Sequence, residues 1–255
     1  DDMYGAALAK ATDLKLLTYA IKDKNARLFA SDINNSINGA SMYLNYQLQS
    51  GGNFKFKISS QLCGFFNVYN ILASAGTGLA MDLSVKDIQD GIKKMAGVPG
   101  RFEKITMRNN RNVIVDYAHT PDGLENVLKT ARSLLEPGGK LVSVFGCGGD
   151  RDKRKRKIMG VISARLADFT IITSDNPRTE KPEMIMNMIE EGFLKSGTQK
   201  YTKMSDRKDA IFQALDIAGE KDIVMIAGKG HEDYQEFADY RIHFSDQEVV
   251  RQWGR

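Results

Sequence analysis

The sequence predicts an α/β fold in two parts: a unit with antiparallel strands, then a doubly wound unit with a mainly parallel sheet. Three observations predict it. Ser41–Leu48 and Phe54–Ile58 alternate apolar and polar residues on either side of Gly51-Gly52, the pattern of a hairpin with one buried face. Beyond residue 100, four β-branched or apolar runs (Val113–Val115, Leu141–Phe145, Phe169–Thr173 and Ile223–Ala227) are separated by helical segments, which is how buried parallel strands with right-handed crossovers read. Between the two patterns, Gly97-Val98-Pro99-Gly100 interrupts both periodicities, so the boundary is placed between 1–97 and 98–255.

The elements follow in order. Ala6 to Ala11 is helix-like, and Leu16 to Tyr19 reads as a short strand. After the hairpin, Phe66 to Met81 is an apolar segment of helical length. Ser84-Val85-Lys86-Asp87 then resembles a capping box opening a helix to about Met95. In the second part, Leu124, Val127, Leu128, Ala131, Leu134 and Leu135 line one helical face, with Thr120 as its cap and Pro121 in its first turn.

Bulk properties narrow the function. At 255 residues, 42% hydrophobic and 27% charged, the chain has an ordinary globular composition. Its net charge of +4 is spread evenly, which argues against a dedicated nucleic-acid binder. Cys63 and Cys147 make neither a metal-ligand spacing nor a disulfide framework. The sequence offers no signal peptide and no apolar run of membrane-spanning length, so a cytoplasmic protein without membrane insertion is expected.

The chemistry gathers at the strand ends. The four runs of the second part are followed by Asp116-Tyr117-Ala118-His119-Thr120-Pro121, by Gly146-Cys147-Gly148-Gly149-Asp150-Arg151, by Asp175-Asn176-Pro177-Arg178, and by Gly228-Lys229-Gly230-His231-Glu232-Asp233-Tyr234. In an open parallel sheet all four lie along one edge and converge on a crevice. Any one of them is explained by a capped turn, whereas four together are not. Asp175 and Asn176 can hold an ammonium, and Arg178 can fork onto a carboxylate, so the third cluster suits a ligand with both charges, such as an amino acid. Asp116, ending a buried strand, needs a cation, a metal or a sugar hydroxyl. His119 is either a proton carrier or a packing residue. The glycines 146–149 permit close backbone approach and an anion nest. In the basic run Arg151 to Lys157 only Arg151, next to the glycines, is a strong ligand candidate, and most of the run reads by default as a solvated helix face. Cys147 reads as a small packed residue.

Together with Phe145-Gly146, Gln235, Asn67-Val68-Tyr69-Asn70-Ile71-Leu72 and Gly100-Arg101-Phe102-Glu103, these strand-end segments resemble the Mur ligase family over essentially the whole chain. The resemblance implies part of a central ATPase-type domain in 1–97 and a Rossmann-like amino-acid-binding domain in 98–255. It implies ATP-dependent amide-bond formation in peptidoglycan synthesis, with Mg2+ neutralising phosphate charge. The carboxylate of UDP-N-acetylmuramoyl-L-alanyl-D-glutamate would be phosphorylated and then attacked by the amine of a diamino acid. Asp175, Asn176, Pro177 and Arg178 match the signature of members that choose meso-diaminopimelate or a similar diamino diacid. By the same resemblance Arg151 grips a substrate carboxylate, and Gly228 and Glu232 hold the distal amino-acid end. Asn70 approaches the adenine, and Arg101, Asp116 and His119 approach the ribose and phosphates. No catalytic side chain or metal ligand is assigned.

These residues contain no Gly-x-x-x-x-Gly-Lys-Ser/Thr phosphate loop, so the chain is expected to be the carboxyl-terminal part of a longer ligase and inactive by itself. Two readings compete. A Rossmann-type cofactor-binding enzyme such as a methyltransferase would use the strand and glycine turn Leu141–Gly149, with Asp175 as the ribose-binding acid. An RNA-binding module would use the basic run 151–157.

Overall fold

The computed structural model describes residues 1–48, 51–107 and 111–253, and the chain divides into two units, Asp1–Gly97 and Val98–Arg255. The first unit runs α1 (Met3–Lys10), β1 (Tyr19–Ala20), β2 (Leu28–Ser36), β3 (Gly39–Gln47), β4 (Asn53–Ser60), α2 (Phe65–Ala80) and α3 (Val85–Lys94). The hairpin forms in the alternating register the sequence predicts, with Met42 opposite Ile58 and Leu44 opposite Phe56. These four side chains are buried against Val68, Ile71, Leu72 and Ala75 of α2. Ser84 caps α3 by accepting the Asp87 amide at 3.1 Å.

Two details depart from expectation. The strand expected at Leu16–Tyr19 forms instead at Tyr19–Ala20, parallel to β2. Leu16 is half-exposed, and Leu17 packs onto the helix side of the core, so the apolar run is divided between surface and core. Strand β2 is unforeseen because its pairing with β3 shifts register between Ser31 and Asn34 and Asp32 takes a φ of +53°, which destroys the period-two signal.

The second unit contains β5 (Glu103–Ile105), β6 (Asn112–Asp116), α4 (Pro121–Ser133), β7 (Leu141–Phe145), α5 (Arg154–Leu166), β8 (Phe169–Thr173), α6 (Pro182–Ser196), β9 (Tyr201–Met204), α7 (Arg207–Ile217), β10 (Ile223–Ala227), β11 (Tyr234–Glu236), β12 (Arg241–His243) and α8 (Asp246–Gln252). Its sheet has the order β5-β6-β10-β7-β8-β9, with only β5 antiparallel. Every residue of β7 and β10 is buried, as strands covered on both faces require. Helices α4, α5 and α6 pack side by side. Helices α7 and α8 cover Val113, Val115, Val142, Val144, Ile171, Val224 and Ile226. Thr120 caps α4 through the Gly123 amide, and Pro121 occupies its first turn. Parallel pairing brings the carboxyl ends of β6, β10, β7 and β8 to one edge.

Candidate functional site

The turn after β8 is the centre of this edge. Asp175 and Asn176 are buried. Asn176 uses both ends of its amide: Nδ2 donates to Glu232 Oε2 (2.9 Å), and Oδ1 accepts from Lys229 Nζ and from the Glu236 amide (3.0 Å each). Gln235 Nε2 donates to the Asp175 carbonyl at 2.8 Å. The loop after β10 is therefore stitched to this turn side chain by side chain. Beneath both, the fully buried Arg207 forks onto Asp246 (2.8 Å twice) and donates to the carbonyls of Ser174 and Ala227, fixing the ends of β8 and β10.

Arg178 sits at φ +51°, a left-handed conformation that costs a non-glycine residue energy. Surrounding bonds hold it there. Its amide donates to the Glu236 carbonyl (3.1 Å), Nε to Glu236 Oε2 (2.9 Å) and Nη1 to the Gly149 carbonyl (2.9 Å). The guanidinium is thus aimed by the β11 strand and the β7 turn before any ligand arrives. Pro177 is buried in the same turn.

The glycine turn after β7 has a different reason from the one its sequence implies. A side chain at Gly149 would collide with the Pro177 carbonyl, and one at Gly146 with the Thr173 carbonyl. The close approach these glycines permit is made by the neighbouring β8 turn of the protein itself, not by a cofactor. Gly149 N also donates to the Asn176 carbonyl at 2.9 Å. Cys147 is buried and burial pushes its thiol up to about 12, so it remains a packed thiol at neutral pH.

The basic run corrects a second expectation. Arg156 is not on a solvated face: it is fully buried and forks onto Glu180 (2.8 Å twice), with a further bond to the Gly148 carbonyl. Glu180 also accepts the Asp150 amide, and Asp150 accepts the Thr179 amide and hydroxyl. The Arg156 bond, with desolvation working against it, holds the Glu180 carboxyl down at about 2. This lattice locks the β7 turn to the β8 turn. Arg151 stands exposed on the rim, donating only to the Asp150 carbonyl among the described residues.

The end of β6 is built otherwise. Asp116 is buried, and burial raises its pKa, while amides of Phe102 (2.6 Å) and Ala118 (2.7 Å) oppose that rise. Its carboxylate braces the loop, so the sequence argument that it must seek a cation, metal or sugar hydroxyl is met by backbone. Its own carbonyl accepts the Gly228 amide, joining this end to the β10 loop. Above it lie exposed groups: Arg101 over the Tyr117 ring (5.4 Å), and His119 and His231 against the same ring (4.7 and 5.2 Å between centroids). Asn70 belongs to the first unit, on α2, where its Nδ2 donates to Asn67 Oδ1 (2.9 Å). The second unit thus brings Arg151, Asp175, Asn176, Pro177, Arg178, Gly228 and Glu232 together, with Arg101, Asp116 and His119 beside them.

Comparison with known proteins identifies the fold. The model for the Mur ligase glutamate ligase domain matches residues 100–230, and that for the Mur ligase middle domain matches residues 1–78. The chain belongs to the Mur ligase family. UDP-N-acetylmuramoyl-L-alanyl-D-glutamate–2,6-diaminopimelate ligase of Clostridium tetani is 45% identical over 254 residues, covering 99% of this chain and 50% of its own. The ligase of the same name from Trichormus variabilis is 44% identical, covering 98% and 49%. A solved structure of this ligase superposes on 98% of the chain and 50% of its own with a TM-score of 0.71 at 38% identity. The chain therefore spans about half the length of the curated relatives it matches. The α/β fold read from the sequence holds, and the methyltransferase alternative finds no support.

Sequence reasoning missed Arg156, Glu180, Glu236 and Lys229 as members of this Mur ligase edge. Lys229 stood inside a segment singled out, and Glu180 two residues beyond another. Arg156 was hidden among five other basic residues, where only the fold tells a buried guanidinium from solvated ones.

Proposed function

We propose that the protein containing this chain is an ATP-dependent acid–amino-acid ligase that joins meso-diaminopimelate to UDP-N-acetylmuramoyl-L-alanyl-D-glutamate. The observation that carries the reading is the Asp175-Asn176-Pro177-Arg178 turn, held from both sides so that a guanidinium is fixed by the partly buried Glu236 in the turn that carries the buried Asp175. The relatives named above as diaminopimelate ligases support it. Arg178 and the rim residue Arg151 take a substrate carboxylate, and Asp175 and Glu232 take the ammonium of the same centre. Lysine has no second carboxylate to engage Arg178, whereas diaminopimelate has. Fixing the distal end in this way presents the other amine in a near-attack pose, which lowers the barrier by orientation.

ATP supplies the phosphoryl group that activates the acceptor carboxylate. Its proposed contacts within the second unit are Arg101, His119 and the Asp116 loop, and within the first unit Asn70 is the candidate for the adenine. The exposed guanidinium and imidazoles around Tyr117 fit an anionic nucleotide in donor chemistry. Among the described residues no three His, Cys, Asp or Glu side chains gather as a metal cluster, so no step is assigned to Mg2+ through this chain. A nucleotide-linked acceptor and ATP both place the reaction in the cytoplasm. Among the described residues no helix is long and apolar enough to cross a membrane.

The test is ATP-dependent ligation by the full-length protein with meso-diaminopimelate and lysine as competing acceptor amines. Diaminopimelate is expected to be taken in strong preference. Equal use of lysine, or no ATP-dependent product, overturns the reading.

A further inference from the structure

Lys229 is fully buried at the end of β10, and the proposed reaction does not use it. Its ammonium donates to Asn176 Oδ1 (3.0 Å) and Glu232 Oε2 (3.3 Å), lies 3.5 Å from Asp175 Oδ1, and faces the Tyr234 ring at 5.4 Å. A buried cation needs a partner because desolvation costs several kcal/mol. One carboxylate would neutralise it. Two surround it, so Lys229, Asp175 and Glu232 together carry a formal charge of minus one.

A second observation shows where that excess is unmet. Asp175 is 6% exposed, yet its Oδ1 has no hydrogen-bond partner, only the Lys229 ammonium as an ion-pair partner 3.5 Å away. A buried acceptor without a donor asks for a donor from outside the chain. The neighbouring ions sharpen the point. Arg207, whose charge also acts on Asp175 and Glu232, is ion-paired with Asp246, and this pair adds no net charge to the count. Glu236, by contrast, is shared between Arg178 and Arg241, a trio with a formal charge of plus one. Two adjoining clusters of opposite net charge are complementary to the ammonium and carboxylate of one amino-acid centre.

We propose that Lys229 is a positioning residue that sets the charge of the ammonium subsite: it holds Asp175 and Glu232 in place and leaves one net negative charge for one substrate ammonium. The inference rests on the ligase reading above. It makes amino-acid affinity follow the charge of the trio rather than the presence of any one member.

A charge series in the full-length protein tests it, read as KM for meso-diaminopimelate and KM for ATP. Glu232→Gln brings the trio to zero and is expected to raise the diaminopimelate KM roughly tenfold or more, leaving the ATP KM within about twofold. Adding Lys229→Met restores minus one and should recover a large part of that loss. A purely structural lysine predicts further loss. A Lys229→Met/Asp175→Asn pair repeats the test from the other carboxylate, with thermal unfolding recorded for every variant. Double variants that fold but bind no better than their carboxylate-only parents overturn the proposal. So does failure of both doubles to fold, since Lys229 is then a scaffold. A wild-type protein that does not use diaminopimelate sinks the ligase reading itself and is seen before any variant is made.

Discussion

The ends of β6 and β10 lie on neighbouring strands, yet they prepare for a ligand in opposite ways. At β10, and across β7 to β8, the charged side chains are tied to one another before any ligand arrives: Lys229 to Asn176 and Glu232, Arg178 to Glu236 and Gly149, Arg156 to Glu180. At β6 the buried carboxylate of Asp116 braces backbone, and the groups offered outward, Arg101, His119 and His231, are exposed and held by ring contacts. The difference teaches where discrimination resides. A prearranged set of charges loses little entropy on binding and rejects a ligand that leaves one charge unpaired. Exposed imidazoles and an exposed guanidinium with fewer such ties tolerate more variation.

Substitutions can break this comparison. The largest expected effect is on folding. Arg156→Met takes from Glu180 its forked partner, leaving it the Asp150 amide and Lys153, and removes the buried ion pair that joins the β7 and β8 turns, so the chain should lose about 3–5 kcal/mol of stability, read by denaturant unfolding. A loss within measurement error would show that the two turns hold without their lock.

Next is Arg178→Ala in the full-length protein, which should cost about 2–5 kcal/mol in diaminopimelate recognition, roughly thirtyfold or more in kcat/KM, while the ATP KM stays put. Arg178→Lys should rescue only part, because a point charge cannot reproduce the fork. Near-normal diaminopimelate kinetics in the alanine variant would remove Arg178 from the site.

A smaller effect is expected of Asp116→Asn: about 1–3 kcal/mol of stability, because one of two backbone amides loses its acceptor. Since burial raises the pKa of Asp116, its ionised form disfavours the fold as pH rises through that raised value. The asparagine variant should therefore lose more stability at pH 4 than at pH 7, relative to wild type. An equal loss at both would argue against a pKa raised by burial.

A further change separates the two regions by pH alone. The Glu180 carboxyl is held at about 2, below its ordinary 4.5, by Arg156. Its contribution is complete above 4.5 and disappears as pH falls towards 2. Glu180→Gln should flatten the acid limb of the stability profile over that range. An unchanged limb would mean that the pair does not titrate with unfolding.

Much of this was legible from sequence because it depends on local repetition. The period-two hairpin, the Thr120-Pro121 helix start and the four buried runs each declare themselves within a few residues, since pleat, helical turn and capping are short-range geometry. The strand-end segments were legible as a set because parallel pairing must bring such ends to one edge. What only the tertiary structure decided is the partner of each charge. Nothing in the run 151–157 marks Arg156 as the one that is buried, because burial depends on Glu180 arriving from the next crossover. Gly149 gives no local sign that Pro177 will fill the space it leaves. Asp116 looked like a ligand for a cation until Phe102, fourteen residues earlier, supplied an amide. Lys229 stood in plain view, but its two carboxylates come from different loops. Secondary structure follows from neighbours along the chain, whereas the net charge of a site follows from neighbours in space.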